Sequence, residues 1–272
     1  MTSDTESVTD SSRDAFATSF GAEAENYDRY RVGPPADVVD RVLPAGADAV
    51  LDLGAGTGAV TRQLVGRAER VYAVDPDPRM TELLARSCPD VEVHEGTAEH
   101  IPLPDASVDA VVVASAWHWV DPDSAIPEIT RVLRPSGSLC IVWNRRDRTF
   151  PWVADLETSR LEISRGDDWV EERIQHYLTE PWLPAGSSFG NVDIQSLSWT
   201  AAMTKDEIAG LLTTYHAYIT APAEDKPDML RKFSEHIEGD SRIVATDDGS
   251  GPGAAALVRM PMVCHSWRAT LI

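Results

Sequence analysis

The chain has 272 residues, 43% of them hydrophobic, with 44 acidic against 24 basic side chains and a formal net charge of −20. That length suits one large domain or a domain with a cap, and the apolar content suits a globular protein with a sizeable core. The acidity repels phosphate backbones and excludes nucleic acid as an expected partner, and no apolar run approaches the ~18 residues of a membrane helix.

Residues 1–14 are rich in Ser, Thr and Asp without an apolar segment, so they read as a disordered acidic tail and not a signal peptide. Cys88, Cys140 and Cys264 are widely spaced with no CxxC. They predict neither a zinc site nor a disulfide framework, but reduced thiols in a cytoplasmic protein.

From Arg13 to Tyr30, Phe16, Phe20, Ala24 and Tyr27 recur at helical spacing, and Gly33-Pro34-Pro35 ends the run. A short helix is expected over Asp37 to Val42. Ala49 to Leu53 is a brief apolar run and reads as a buried strand. Gly54, Gly56 and Gly58 follow at alternate positions, and Ala59, Val60, Leu64 and Val65 then start a helix to about Gly66. Strand, glycine turn and helix form the nucleotide-binding corner of a Rossmann-like sheet.

Charge bears on which ligand sits there. A pyrophosphate favours backbone N–H groups and a helix N-terminus with no anion nearby. Asp52, two residues before the first glycine, disfavours it. The same carboxylate favours S-adenosylmethionine (SAM), which carries a cationic sulfonium and ammonium. Gly54, Gly56 and Ala59 nonetheless satisfy G-x-G-x-x-A, so the glycines alone leave NAD(P) open.

Val71 to Asp75 reads as a second strand ending in an acid, 17 residues beyond Gly58. Asp75 either accepts hydrogen bonds from a ribose diol or caps the helix expected over Pro78 to Ser87. Val91 to His94 alternates as a third strand. Val108 to Ala114 is almost continuously apolar, as a central parallel strand buried on both faces must be. Ser115-Ala116-Trp117-His118-Trp119 follows its carboxyl end. His118 is the leading candidate for a general base, because an imidazole titrates near working pH; the alternative is a structural histidine. Ala125 to Leu133 is a helix stopped by Pro135 and Gly137. Leu139 to Trp143 is a fifth strand, and Asn144-Arg145-Arg146 either meets an acidic substrate or is a solvated loop.

Beyond Asp147, helices are expected around Trp152 to Ile163 and Trp169 to Tyr177. Asn191 to Trp199 is a strand, Asp206 to Tyr218 and Asp228 to His236 are amphipathic helices, Asp247 to Gly253 is a turn, and Ala256 to Thr270 is a final strand. Trp152, Trp169, Tyr177, Trp182, Tyr215 and Tyr218 read first as core and second as pocket lining. His216 and His265 are lesser base candidates.

Asp52-x-Gly54-x-Gly56-x-Gly58, then Asp75, then Gly96-Thr97-Ala98-Glu99 before Ile101-Pro102-Leu103, resembles the class I SAM-dependent methyltransferase family. Tyr27 to Arg31 and Ala116 to Trp119 are similar to its small-molecule branch, which includes trans-aconitate methyltransferases. The resemblance implies a Rossmann-like α/β fold: a mostly parallel seven-stranded sheet, helices on both faces, an antiparallel last strand, and helical cap insertions in the C-terminal half. After the tail, residues 15–272 would form a single domain, with an N-terminal lid (15–48), a SAM-binding core (49–146) and substrate-cap helices with edge strands (147–272).

The implied cofactor residues follow the motifs. Asp52, Gly54, Ala55, Gly56 and Gly58 form the loop, and Asp75 and Pro76 take the ribose. Met80, Thr97, Ala98 and Glu99 surround adenine. Tyr27 and Ser115 complete the site, and Arg31 reaches the cofactor's carboxylate; the alternatives are packing for Tyr27 and Met80 and pairing with a surface acid for Arg31. The expected reaction is methyl transfer to a small organic molecule, an organic acid or secondary metabolite, by in-line displacement. The alternatives are an NAD(P)-dependent oxidoreductase and a catalytically silent SAM-binding protein. No metal is expected, and the sequence leaves the oligomeric state open.

Overall fold

A computed structural model of the protein describes residues 20–164, 183, 184, 186–246 and 255–272. Its strands are β1 (Ala49–Leu53), β2 (Arg70–Asp75), β3 (Glu92–Glu95), β4 (Val108–Ala114), β5 (Leu133–Arg146), β6 (Phe189–Met203), β7 (Ala245–Thr246) and β8 (Leu257–Leu271). They form one sheet in the order β3-β2-β1-β4-β5-β8-β6, with the two-residue β7 paired to β8. The first five are mutually parallel, and β8 is antiparallel to both β5 and β6. The seven expected strands are therefore present, with the antiparallel last strand inserted between β5 and the outermost β6.

The sheet is covered on both faces because its central strands are apolar on both faces. Every residue of β1 is buried. Leu51, Leu53, Val111, Val113, Leu139 and Ile141 face one layer, where Ile126 and Ile129 of α5 (Pro122–Val132) pack. Val50, Val112, Cys140 and Val142 face the other, against α2 (Ala36–Val42), α3 (Thr61–Leu64) and α4 (Pro78–Ser87). Alternate residues serving alternate layers is the period-two rule of a strand. Local signals set the helix starts. Asp77 caps α4 by accepting the Arg79 N–H, with Pro78 in its first turn.

A third apolar cluster lies where the 15-residue β6 and β8 run past the rest of the sheet. Ala201, Met203, Val258 and Met260 pack there against α6 (Pro151–Ser164), α7 (Lys205–Gly210) and α9 (Lys226–Gly239). Thr204 and Glu207 close a reciprocal capping box at the start of α7. The N-terminal segment contributes α1 (Ala24–Tyr30), and α8 (His216–Ile219) completes the described helices.

Three element boundaries depart from expectation. The helix after the glycines is shorter, because turns persist through Val60. β5 begins at Leu133 and passes through Pro135 and Gly137, with Ser136 at φ +64 and a register shift against β4 absorbing them. The single amphipathic helix expected over Asp206 to Tyr218 is broken into α7, a 3-10 turn over Leu211–Thr214, and α8. The expected features at Phe16, Trp169, Tyr177 and Trp182, and the turn at Asp247 to Gly253, lie outside the described residues, as does the tail. No described helix is long and apolar enough to cross a membrane.

Candidate active site

The strand order reverses between β1 and β4, and at such a reversal the carboxyl ends leave a crevice. A cavity of about 780 Å³ opens there, walled by the ends of β1, β2, β4 and β5, by α1, and by α6 and α8 above.

The glycine loop forms one end. Gly54 has φ +71, and a Cβ there would stand 2.7 Å from the Ala116 Cβ. Gly56 has φ +54, and its N–H donates to Asp75 Oδ2 at 2.8 Å. Asp75 Oδ1 accepts the Asp77 N–H at 3.0 Å. Asp75 therefore does not cap α4; Asp77 does. The Asp75 carboxylate ties the loop to β2 and presents its remaining lone pairs to the cavity it lines. Burial pushes its carboxyl up to about 6, partly offset by those two N–H donors. Pro76 and the buried Met80 continue the wall. So do Thr97, Ala98 and Glu99, where Glu99 Oε1 accepts the Asp121 N–H at 3.0 Å. Ser115 lines the cavity with φ +52, a conformation disfavoured for a residue with a Cβ, held by its N–H to Val142 O at 2.8 Å.

Three of the expected cofactor residues do not line the cavity. Asp52 is 1% exposed and turns away to accept a 2.6 Å bond from the Thr61 hydroxyl on α3. Burial raises its carboxyl to about 7, and the nearby charge of Asp75 adds to the shift. Strand alternation explains the departure, since Leu53 takes the inward position next to the loop. Ala55 packs with the α3–α4 layer. Gly58 lies against the Leu84 side chain, so its lack of a Cβ serves helix packing.

Tyr27 and Arg31 both line the cavity, with the Tyr27 ring above the Gly56 backbone. Arg31 donates through Nε to Thr214 Oγ1 (2.9 Å) and through a terminal nitrogen to Thr214 O (3.2 Å). Its guanidinium lies 5.3 Å from the Tyr27 ring and 4.6 Å from that of Tyr215. Gly210 fits against the Tyr30 ring with no room for a Cβ. Asn144 donates to Val32 O and Gly33 O, fastening the N-terminal segment to β5.

His118 sits in a 3-10 turn, buried but on the cavity wall, its ring 4.6 Å from that of Trp119. Trp117 does not flank it in the cavity: it is fully buried in the sheet core. Trp143 of β5 lines the cavity instead, braced edge-on by Trp267 at 4.7 Å. His216 lines the cavity. His265 does not, and shares a 2.8 Å hydrogen bond with Ser196.

The remaining wall carries four arginines among the described residues. Arg145 and Arg146 belong to the end of β5 and not to a solvated loop. Both line the cavity, with Arg148 and with Arg160 of α6. Glu157, also on α6, accepts from Arg146 and from Arg160 Nε, the latter at 3.0 Å. Arg146 donates also to the Tyr215 hydroxyl, and the Arg160 guanidinium lies 3.9 Å from the Tyr215 ring. Burial opposes the charge on Glu157, but Arg146 and Arg160 outweigh it and hold the carboxyl down to about 2. The same arginines, with Arg31, outweigh burial at Tyr215 and lower its phenol.

Glu157 and Arg160 are absent from the expectations, and Tyr215, read first as core and second as pocket lining, lines the cavity. One signal was present: Gly210 and the β-branched pair Thr213-Thr214 interrupt good helix formers, where Thr hydroxyls compete for backbone carbonyls. Thr213 and Thr214 each donate to a carbonyl three residues back, which ends the helix and swings Tyr215 to the cavity.

Comparison with known proteins adds three findings. The family model described as a methyltransferase domain matches residues 51–141. An uncharacterized methyltransferase of Mycobacterium tuberculosis is 45% identical over 224 residues, covering 82% of this chain and 87% of the relative. A methyltransferase-like protein of Schizosaccharomyces pombe is 30% identical over 221 residues, covering 80% and 84%. Among solved structures, an Anaeromyxobacter dehalogenans protein, provisionally named a type II methyltransferase, is 27% identical. It covers 89% of this chain and 98% of its own, with a TM-score of 0.63.

Proposed function

The chain belongs to the class I SAM-dependent methyltransferases, and from that premise we propose that it transfers a methyl group to a small organic acceptor held under the cap. The observation that carries this reading is the Asp75 carboxylate, bonded to the Gly56 N–H and facing a deep cavity at the sheet's reversal. A buried carboxylate beside a glycine-lined turn fits a ribose diol with an adenine beyond it. Pro76, Met80, Thr97, Ala98 and Glu99 supply the adenine wall, Tyr27 covers the loop, and Gly54, Gly56 and Ser115 admit the amino-acid end. Asp52 acts at one remove, positioning the loop through Thr61.

SAM, when bound, supplies an electrophilic methyl on a sulfonium. The protein's part is placement. Alignment of two reactants contributes as much as ~7–11 kcal/mol of barrier reduction. Trp119 and Trp143 add apolar lining to the cavity, and His118, beside Trp119, positions the acceptor or takes its proton. A base adds ~10²–10⁴-fold where the acceptor is a hydroxyl or carbon acid and nothing where it is an ionised carboxylate. A cavity of about 780 Å³ suits a small molecule, and the chain's negative charge disfavours nucleic acid.

Calorimetric titration with S-adenosylhomocysteine, with NADH as control, tests the reading. Binding of the first alone is expected; binding of NADH alone would overturn it. For the role of His118, His118→Ala is expected to keep S-adenosylhomocysteine affinity and lose turnover. Unchanged turnover would remove His118 from the chemistry.

A further inference from the structure

Building on the methyltransferase reading, we propose that the acceptor carries a carboxylate, and that Arg146 and Arg160, beside Tyr215, are the groups that bind it.

The charge distribution points there first. Across the chain acids outnumber bases, yet among the described residues Arg146 at the end of β5 and Arg160 of α6 meet on the cavity wall around one carboxylate, Glu157. Burial comes second. The side chains of Arg146 and Arg160 are 12% and 8% exposed. Buried charge is costly unless matched, and among the described residues one carboxylate shared between two guanidiniums leaves the group net positive. An anion entering from the cavity completes the balance.

The geometry comes third. A guanidinium presents five N–H donors in a plane, suited to a carboxylate's two oxygens. Glu157 takes one bond from each arginine, and the Tyr215 hydroxyl one more from Arg146. The Tyr215 ring lies 3.9 Å from the Arg160 guanidinium and braces it. Burial favours the neutral Tyr215 phenol, and Arg146, Arg160 and Arg31 outweigh it to hold the phenol below its ordinary value. Arg31, tied to Thr214, lies 4.6 Å from the same ring and so couples α1 to the cluster.

The test titrates protein saturated with S-adenosylhomocysteine with succinate, glutarate, benzoate and phenylacetate, each against its uncharged amide. At least one carboxylate is expected to bind tenfold or more tightly than its amide. Arg160→Gln should weaken it at least tenfold, whereas Glu157→Gln, which removes the competing anion, should strengthen it. S-adenosylhomocysteine affinity should stay within twofold in both variants. The opposite signs separate an anion site from a structural network, in which both substitutions would weaken binding. If Arg160→Gln does not fold, the charge-balanced double variant Glu157→Gln/Arg160→Gln takes its place and should bind the carboxylate less tightly than wild type. Amides binding as well as carboxylates, or Glu157→Gln and Arg160→Gln weakening binding alike, would overturn the proposal. Failure of wild-type protein to bind S-adenosylhomocysteine would instead overturn the cofactor reading.

Discussion

Two buried carboxylates, Asp52 and Asp75, sit one strand apart, and their different surroundings assign them different work. Asp75 meets backbone N–H groups and the cavity; Asp52 meets a hydroxyl in the core. Asp75→Ala is expected to weaken S-adenosylhomocysteine by ~1–3 kcal/mol, the usual cost of an unmade buried hydrogen bond. No loss by calorimetry would remove the ribose assignment. The raised Asp75 carboxyl, at about 6, adds a pH signature. A diol donates best to the ionised form, so binding lowers that pKa and releases protons. Affinity should then rise with pH through about 6 and level off above 7. A flat or falling affinity between pH 5 and 8 would contradict it.

At the scale of elements, the site depends on a helix that fails to continue. Had residues 206–218 formed one helix, Tyr215 would lie among the core residues of its face. Instead the break at Leu211–Thr214 gives Arg31 the Thr214 carbonyl and turns Tyr215 to the arginines. Gly210→Ala tests the fit of α1 against this break. In an open helix the change stabilises by about 1 kcal/mol. Here the new Cβ would meet the Tyr30 ring at 2.4–2.7 Å. A net loss of ~1–3 kcal/mol in chemical unfolding is expected, as for other overpacked sites. A gain would mean that α1 is not seated on α7. Glu157→Ala leaves two buried arginines without their shared partner and should cost ~3–5 kcal/mol, since one side of a buried ion network is removed. A loss under 1 kcal/mol would show those arginines to be solvated.

For the whole molecule, stability should carry the mark of Asp52. Its folded carboxyl titrates near 7, well above the ordinary value of 3.8, so between those limits the native state binds the extra proton. Native-state stability from this group therefore falls as pH rises from about 4 to about 7. Asp75, also raised by burial, adds to that fall, and His265, lowered mainly by burial, works in the opposite direction near its ordinary value of 6.5, so the wild-type slope is the resultant of the three. Asp52→Asn isolates the first contribution. Without ligand, the urea midpoint of wild type relative to the variant should fall between pH 5 and pH 8. A constant difference would show Asp52 to be ionised throughout.

The sequence by itself determined the sheet core, the glycine corner and the position of Asp75. Those features are local: a doubly covered strand must be apolar, a tight turn must lack side chains, and a strand-end acid follows at a set distance. Asp52 was legible as an acid at the right place, but its direction was not. A single register step decides which face of β1 a side chain takes, and the core packing against Thr61 settles that step. Likewise Arg145-Arg146 read as well as a loop as a wall, because exposure depends on what covers the chain. Only the tertiary structure decided it, by running β5 on to Arg146 beside β8 and placing Glu157, Arg160 and Tyr215 around Arg146 from distant stretches of sequence. The grouping of those charges rests on long-range contacts, which no spacing along the chain records.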